Sequence, residues 1–346
     1  MSNVEENDVD LNKIDFFKNI DNDAYSKYIK DNSFIVFKSL NDIIYLIYTN
    51  MYMSIICLNL IDQKKICEIK NAHNEYITNF RHYLDKINKK DLIISISLEG
   101  NDIKLWNASN FNCLLFLNNI NRFDGILSAC FLNDNSQIYI ITSNNTVNKV
   151  DPIKVFNIKG IKIKEINNSN ININFIDTYY DKELKSNYII TGNKGKVISY
   201  NYNKNDIYHI YSENDKNYHE SLIINDKKQL IDSCTDCNIR IWSFHSGDLL
   251  NKIGFIDRIE SICLLNNEYL FVGCDDQKIT VIKLNNGKII KTLTGHEKEV
   301  TSVKIFIHPK HGLCLLSQGF HKDGIKLWII KKEHHILGDY PDYAAK

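Results

Sequence analysis

The sequence predicts an all-β chain built from seven copies of one four-stranded antiparallel unit of about 43 residues, and three observations predict it. The only three tryptophans each close a similar phrase: "DIKLW" at Trp106, "NIRIW" at Trp242 and "GIKLW" at Trp328. They are spaced by about three steps of ~45 residues and then two of ~43, a period that belongs to few repeat architectures. Apolar runs with period-two alternation, bounded by Gly, Asn and Asp, flank every phrase, as half-buried strands require. No segment keeps a helical period.

The bulk numbers agree with a soluble globular protein: 346 residues, 44% hydrophobic and 24% charged. Acidic and basic residues balance at 42 each, so no overall field favours nucleic acid or an anionic membrane. No apolar run reaches the ~18 residues of a membrane span, and "MSNVEENDVDLNK" is too acidic and polar for a signal peptide. Nine cysteines, an odd number without framework spacing, fit reduced thiols. The expected compartment is the cytoplasm, with the nucleus as an alternative.

Taken in chain order, the slot held by tryptophan is filled by Leu58 in "MSIICLNL", Trp106, Phe156 in "PIKVFN", Tyr200 in "KVISYNY", Trp242, Ile282 in "KITVIKL", and Trp328. The residue is always bulky and apolar, as a packing anchor must be. Ahead of the slot stand an apolar strand and a polar turn, as in "LIDSCTDC" and "YLFVGCDDQ"; behind it come a turn and a further strand, as in "NNGKIIKTL".

In these features the chain resembles the WD40 repeat family. The best match is "GKIIKTLTGHEKEVTSVKIFIHPKHGLCLLSQGFHKDGIKLWII", with the Gly-His pair Gly295–His296. Asp236 stands six residues before Trp242, and Asp276 six before Ile282, where the family places a turn aspartate. Ala72–His73 is a partial copy of the Gly-His pair, and no tryptophan is followed by aspartate. The resemblance implies a seven-bladed β-propeller of four-stranded antiparallel blades. It also implies that His296 and Ser317 join Trp328 in a structural hydrogen-bond chain, with His73 in the matching place before Trp106.

The expected blades are 33–71, 72–118, 123–167, 171–212, 217–253, 254–293 and 295–330. Residues 331–346 form a tail that makes a poor strand, so 12–20 ("NKIDFFKNI") is expected as the closing outer strand of the last blade, after a disordered 1–11. Closure removes the open edges that invite unwanted pairing.

Other constellations have plainer readings. His296, Ser317 and Asp323 mimic a hydrolase triad, but no G-x-S-x-G elbow exposes a nucleophile. In both the first and last tryptophan-bearing units the turn is one residue longer, which leaves the register of Ser95, Asn101, Ser317 and Asp323 open. "CTDC" at Cys234–Cys237 is half a zinc site without its other half, and the His334–His335 pair reads as solvated. "FRH" at Phe80–His82 only faintly resembles the paired arginines of phosphoinositide-binding propellers.

No catalytic residue, metal or cofactor is expected. WD40-like proteins hold peptides or proteins on the top face of the ring. The positions just before each inner strand, by alignment to "GHEKEV", are Tyr76, Gly125, Tyr218, Arg258 and Glu299; the residues before the turn aspartates add Thr235 and Asp275. Tyr and Arg are the types that dominate interface energies. The expected function is a non-enzymatic scaffold, monomeric within a larger complex, binding protein or peptide partners without nucleic acid or membrane insertion. The alternatives are a phosphoinositide-binding propeller or a propeller enzyme.

Overall fold

Seven inner strands stand in a closed ring: Phe34–Lys38, Ile77–Asp85, Asp124–Asp134, Phe175–Asp181, His219–Ile224, Ile259–Leu265 and Val300–His308. Each touches the next, and the last returns to the first. The computed structural model describes residues 9–22, 24–25, 34–97, 102–118, 124–146, 152–167, 173, 175–192, 195–213, 219–224 and 226–332. In the first six blades the chain steps outward through four consecutive antiparallel strands. This is a seven-bladed β-propeller, and its described residues form no helix.

The seventh blade takes its outer strand from the other end of the sequence. Val9–Asp21 lies antiparallel to Ile325–Lys332, with Asp15 opposite Ile329, Phe16 opposite Trp328 and Asp21 opposite Ile325. The strand begins earlier than the 12–20 expected, because Leu11 is buried in the blade 6–7 core and Val9 still finds Lys332. The third strand likewise runs on to Lys332, past the expected limit at Ile330. Phe16 sets its ring edge-on to Trp328 at 5.4 Å, and Lys331 pairs with Asp15 at 2.6 Å. Gly324 makes the closure possible. It has φ +77°, and a Cβ there would meet the Asp21 carbonyl oxygen at 2.6 Å.

The core consists of seven hydrophobic clusters, one for each blade–blade interface. The slot residues supply one anchor to each: Leu58, Trp106, Phe156, Tyr200, Trp242, Ile282 and Trp328. In every case the anchor packs against the preceding blade. The slot must therefore be apolar and large, since it fills the gap between two twisted sheets. Trp328 fills the blade 6–7 gap together with Leu11 and Ile14 of the closing strand.

Candidate functional site

The ring has a top face, where the chain enters each inner strand and where second strands turn into third strands. Two of its blades are pinned by a buried relay. In blade 7, His296 Nδ1 meets Asp323 Oδ2 at 2.6 Å, and His296 Nε2 meets the Ser317 hydroxyl at 2.6 Å. Trp328 Nε1 donates to the same hydroxyl oxygen at 2.8 Å. A carboxylate only accepts, so Nδ1 carries the hydrogen, Nε2 accepts from Ser317, and Ser317 accepts from the indole. Blade 2 repeats the chain with Asp102, His73, Ser95 and Trp106; there His73–Ser95 is 2.6 Å and Trp106–Ser95 is 2.8 Å.

The structure thus fixes the register that the sequence left open. Both serines lie eleven residues before their tryptophan. The acid in blade 2 is Asp102; Asn101 lies outside the described residues. In blade 7 Lys326 adds a bond to Asp323 Oδ1 at 2.6 Å. Burial holds the His296 imidazole below its ordinary range. Asp323 is also held low: burial pushes it up, but the hydrogen bonds from His296 and Lys326 outweigh that.

Blade 5 keeps the turn aspartate and changes its partner. Asp236 binds the buried Arg240, whose Nη1 and Nη2 stand 3.1 and 2.5 Å from its two oxygens, while Arg240 Nε reaches Glu213 at 2.5 Å. These carboxylates hold the guanidinium charged against its burial. The Trp242 indole N–H has no acceptor among the described residues. In blade 6, Asp276 pairs instead with Lys278 at 2.7 Å.

The residues expected to face partners separate into two groups. Over blades 5 and 6, Thr235 and Asp275 sit in second-to-third turns, and the Asp275 N–H donates to the Arg258 carbonyl at 3.0 Å. Arg258 pairs with the buried Glu260 at 3.2 Å. This sector is acidic: after burial, Asp276, Asp257, Asp275 and Glu260 push the Cys274 thiol up. Glu299 precedes the blade 7 inner strand, and its carbonyl accepts from the Phe320 N–H at 2.8 Å.

Tyr76 belongs to the second group. Its ring lies 5.6 Å from Tyr25, which lies 5.8 Å from His321. Beside these rings opens a groove of about 510 Å³, lined by Tyr25 and Met51 on one side and by Glu297, Lys298, His321, Lys322 and Asp323 on the other. Gly125 lies inside its inner strand, opposite Asn145, rather than ahead of it. Tyr218 is outside the described residues. Tyr25, Met51, His321 and the two lysines carry no local sequence signal, because ring closure alone brings residue 25 beside residue 321.

Arg81 and His82 do not form a surface basic pair. Arg81 bonds Asn79 at 3.0 Å, and His82 bonds Asp91 at 2.7 Å while stacking on Phe37 at 3.8 Å. Among the described residues no group of three or more His, Cys, Asp or Glu could hold a metal, and no helix is long and apolar enough to cross a membrane.

No protein-family model matches the chain. Three characterised proteins are similar to parts of it. A p21-activated protein kinase-interacting protein 1-like protein of Danio rerio is 26% identical over 113 residues, 33% of this chain and 27% of that one. A bromodomain and WD repeat-containing protein of Dictyostelium discoideum is 29% identical over 107 residues, 29% of this chain and 5% of that one. Autophagy-related protein 16 of Arabidopsis thaliana is 26% identical over 93 residues, 27% of this chain and 18% of that one. The matched stretches thus span about a quarter of these relatives or less.

Proposed function

We propose that this chain, a seven-bladed propeller of divergent WD40-type repeats, is a non-catalytic scaffold that holds a protein or peptide partner on its top face and organises it within a larger complex. The observation that carries the reading is the groove beside Tyr25, Tyr76 and His321. It is large enough for several side chains, and its lining sets Tyr25, Met51 and His321 beside the charged Glu297, Lys298, Lys322 and Asp323. Clustered rings in a partly sheltered site are the usual anchors of interface energy.

Two further observations favour this over chemistry. Ser95 and Ser317 are fully buried, each already bonded to a histidine and an indole, so no substrate reaches either hydroxyl. Arg81 and His82 are consumed within their blade, which removes the basic pair that a lipid-headgroup reading needs. A relative whose name describes it as a kinase-interacting protein supports the same class of function.

The test is affinity purification of the full chain alongside Tyr76→Ala and the double change Lys298→Glu, Lys322→Glu. Recovered partners should fall at least tenfold in both variants while the melting temperature holds. Unchanged recovery in both would overturn the assignment of the groove.

A further inference from the structure

Blade 1 sets two cysteines directly opposite one another. Cys57 in the third strand, Ile55–Asn59, and Cys67 in the fourth, Lys64–Ile69, are antiparallel register partners. No other cysteine faces a cysteine among the described strand pairs. Opposed residues bring their Cβ atoms to about 4.5–5.5 Å, close to the ~3.5–4.5 Å a disulfide spans. A register shift immediately after Cys57 gives this stretch slack to close the remainder.

The two thiols differ in their surroundings. Cys57 is fully buried in the blade 1–2 core, while Cys67 is partly exposed on the outer strand. The two side chains meet in the same cluster, Cys57 within it and Cys67 packed against it. The neighbouring Cys67 and burial push the Cys57 thiol well up. Cys67 is thus the sulfur that a reagent in solution reaches, and Cys57 stands directly behind it.

We propose that Cys57 and Cys67 form a reversible redox site, closed to a cross-strand disulfide by a low-molecular-weight disulfide such as oxidised glutathione. The Cys67 thiolate attacks one glutathione sulfur, forming a Cys67–glutathione mixed disulfide and releasing one glutathione thiolate. Cys57 then attacks the Cys67 sulfur and expels the second glutathione sulfur, which leaves as a thiol carrying the Cys57 proton. Two protein thiols are oxidised to one disulfide, and one glutathione disulfide is reduced to two thiols. The new bond staples the outer strand of blade 1 to its neighbour. The site is independent of the top-face groove.

The experiment incubates the full chain, in a Cys113→Ser background that removes the exposed thiol, with oxidised glutathione. Free thiols are then alkylated and peptides mapped by mass spectrometry without reduction. The expected product is a Cys57–Cys67 cross-linked peptide, lost on adding dithiothreitol. Cys57→Ala should instead accumulate the Cys67–glutathione adduct, and Cys67→Ser should leave Cys57 unmodified. A wild-type pair that stops at the Cys67 adduct, stays unreacted, or links Cys67 to a different cysteine overturns the proposal.

Discussion

Trp328 gives its indole hydrogen to the Ser317 hydroxyl at 2.8 Å, and Trp106 gives its own to Ser95 at the same distance, each across eleven residues of chain. Each serine passes its own hydrogen to a histidine, and each histidine is held by an aspartate. Each relay links its four polar groups end to end, which is what allows them inside a blade.

Ser317→Ala breaks that chain in its middle. The indole N–H and the His296 Nε2 both lose a partner, at a cost of about 1–3 kcal/mol. Ser95→Ala should cost a similar amount in blade 2. Urea unfolding measures both, and a variant as stable as wild type would show that the relay contributes nothing.

Acid should weaken blade 7 in two stages. His296 titrates below its ordinary 6.5 when folded, so the unfolded chain binds the extra proton first and stability falls as pH drops below 6.5. Asp323 titrates below 3.8 when folded; its contribution is intact above 3.8 and is lost as pH falls through the lower folded value. His296→Gln should flatten the loss of stability between about pH 7 and pH 5. His308 is held low by burial as well, so the slope flattens without vanishing. An unchanged slope in denaturant midpoints would contradict the sign.

Arg240→Ala removes the cation shared by Asp236 and Glu213. Breaking a buried pair from one side costs about 3–5 kcal/mol, because the remaining charge is left uncompensated. The double variant Arg240→Met, Asp236→Leu should recover much of that loss. A double-mutant cycle with no coupling between the two positions would refute the pairing.

Ring closure has its own test. Gly324→Val drives a side chain into the Asp21 backbone and should lower the melting temperature by several degrees, more than ~1 kcal/mol. Deleting residues 1–21 should lower it further, since Trp328 loses Phe16, Leu11 and Ile14 together. A melting temperature within a degree of wild type would mean that blade 7 stands on three strands.

The repeat was legible because packing writes it into sequence. A position that fills the gap between twisted sheets must be large and apolar, so Trp106, Trp242 and Trp328 recur at a readable period with Leu58, Phe156, Tyr200 and Ile282 as milder copies. The relay was half legible. Ser317 and His296 follow from the Gly-His phrase, but the longer turn hid that Asp102, not Asn101, completes blade 2. The Asp236–Arg240 pair leaves no such signal, since Arg240 alternates along its strand like any exposed residue. The groove is hardly legible at all: the position before the blade 2 inner strand points to Tyr76, while Tyr25 and His321 meet it only across the closed ring.

That closure also fixes an order in time. Asp15 and Lys331, paired at 2.6 Å, are 316 residues apart in the chain. At the ordinary rate of ribosomal synthesis, about 5–20 residues per second, the first strand waits roughly 15–60 s for its partner to be made. Throughout that interval Phe16, Phe17 and a row of unpaired backbone groups are open to other chains. Of the propeller's described strands, Val9–Asp21 is made first and paired last.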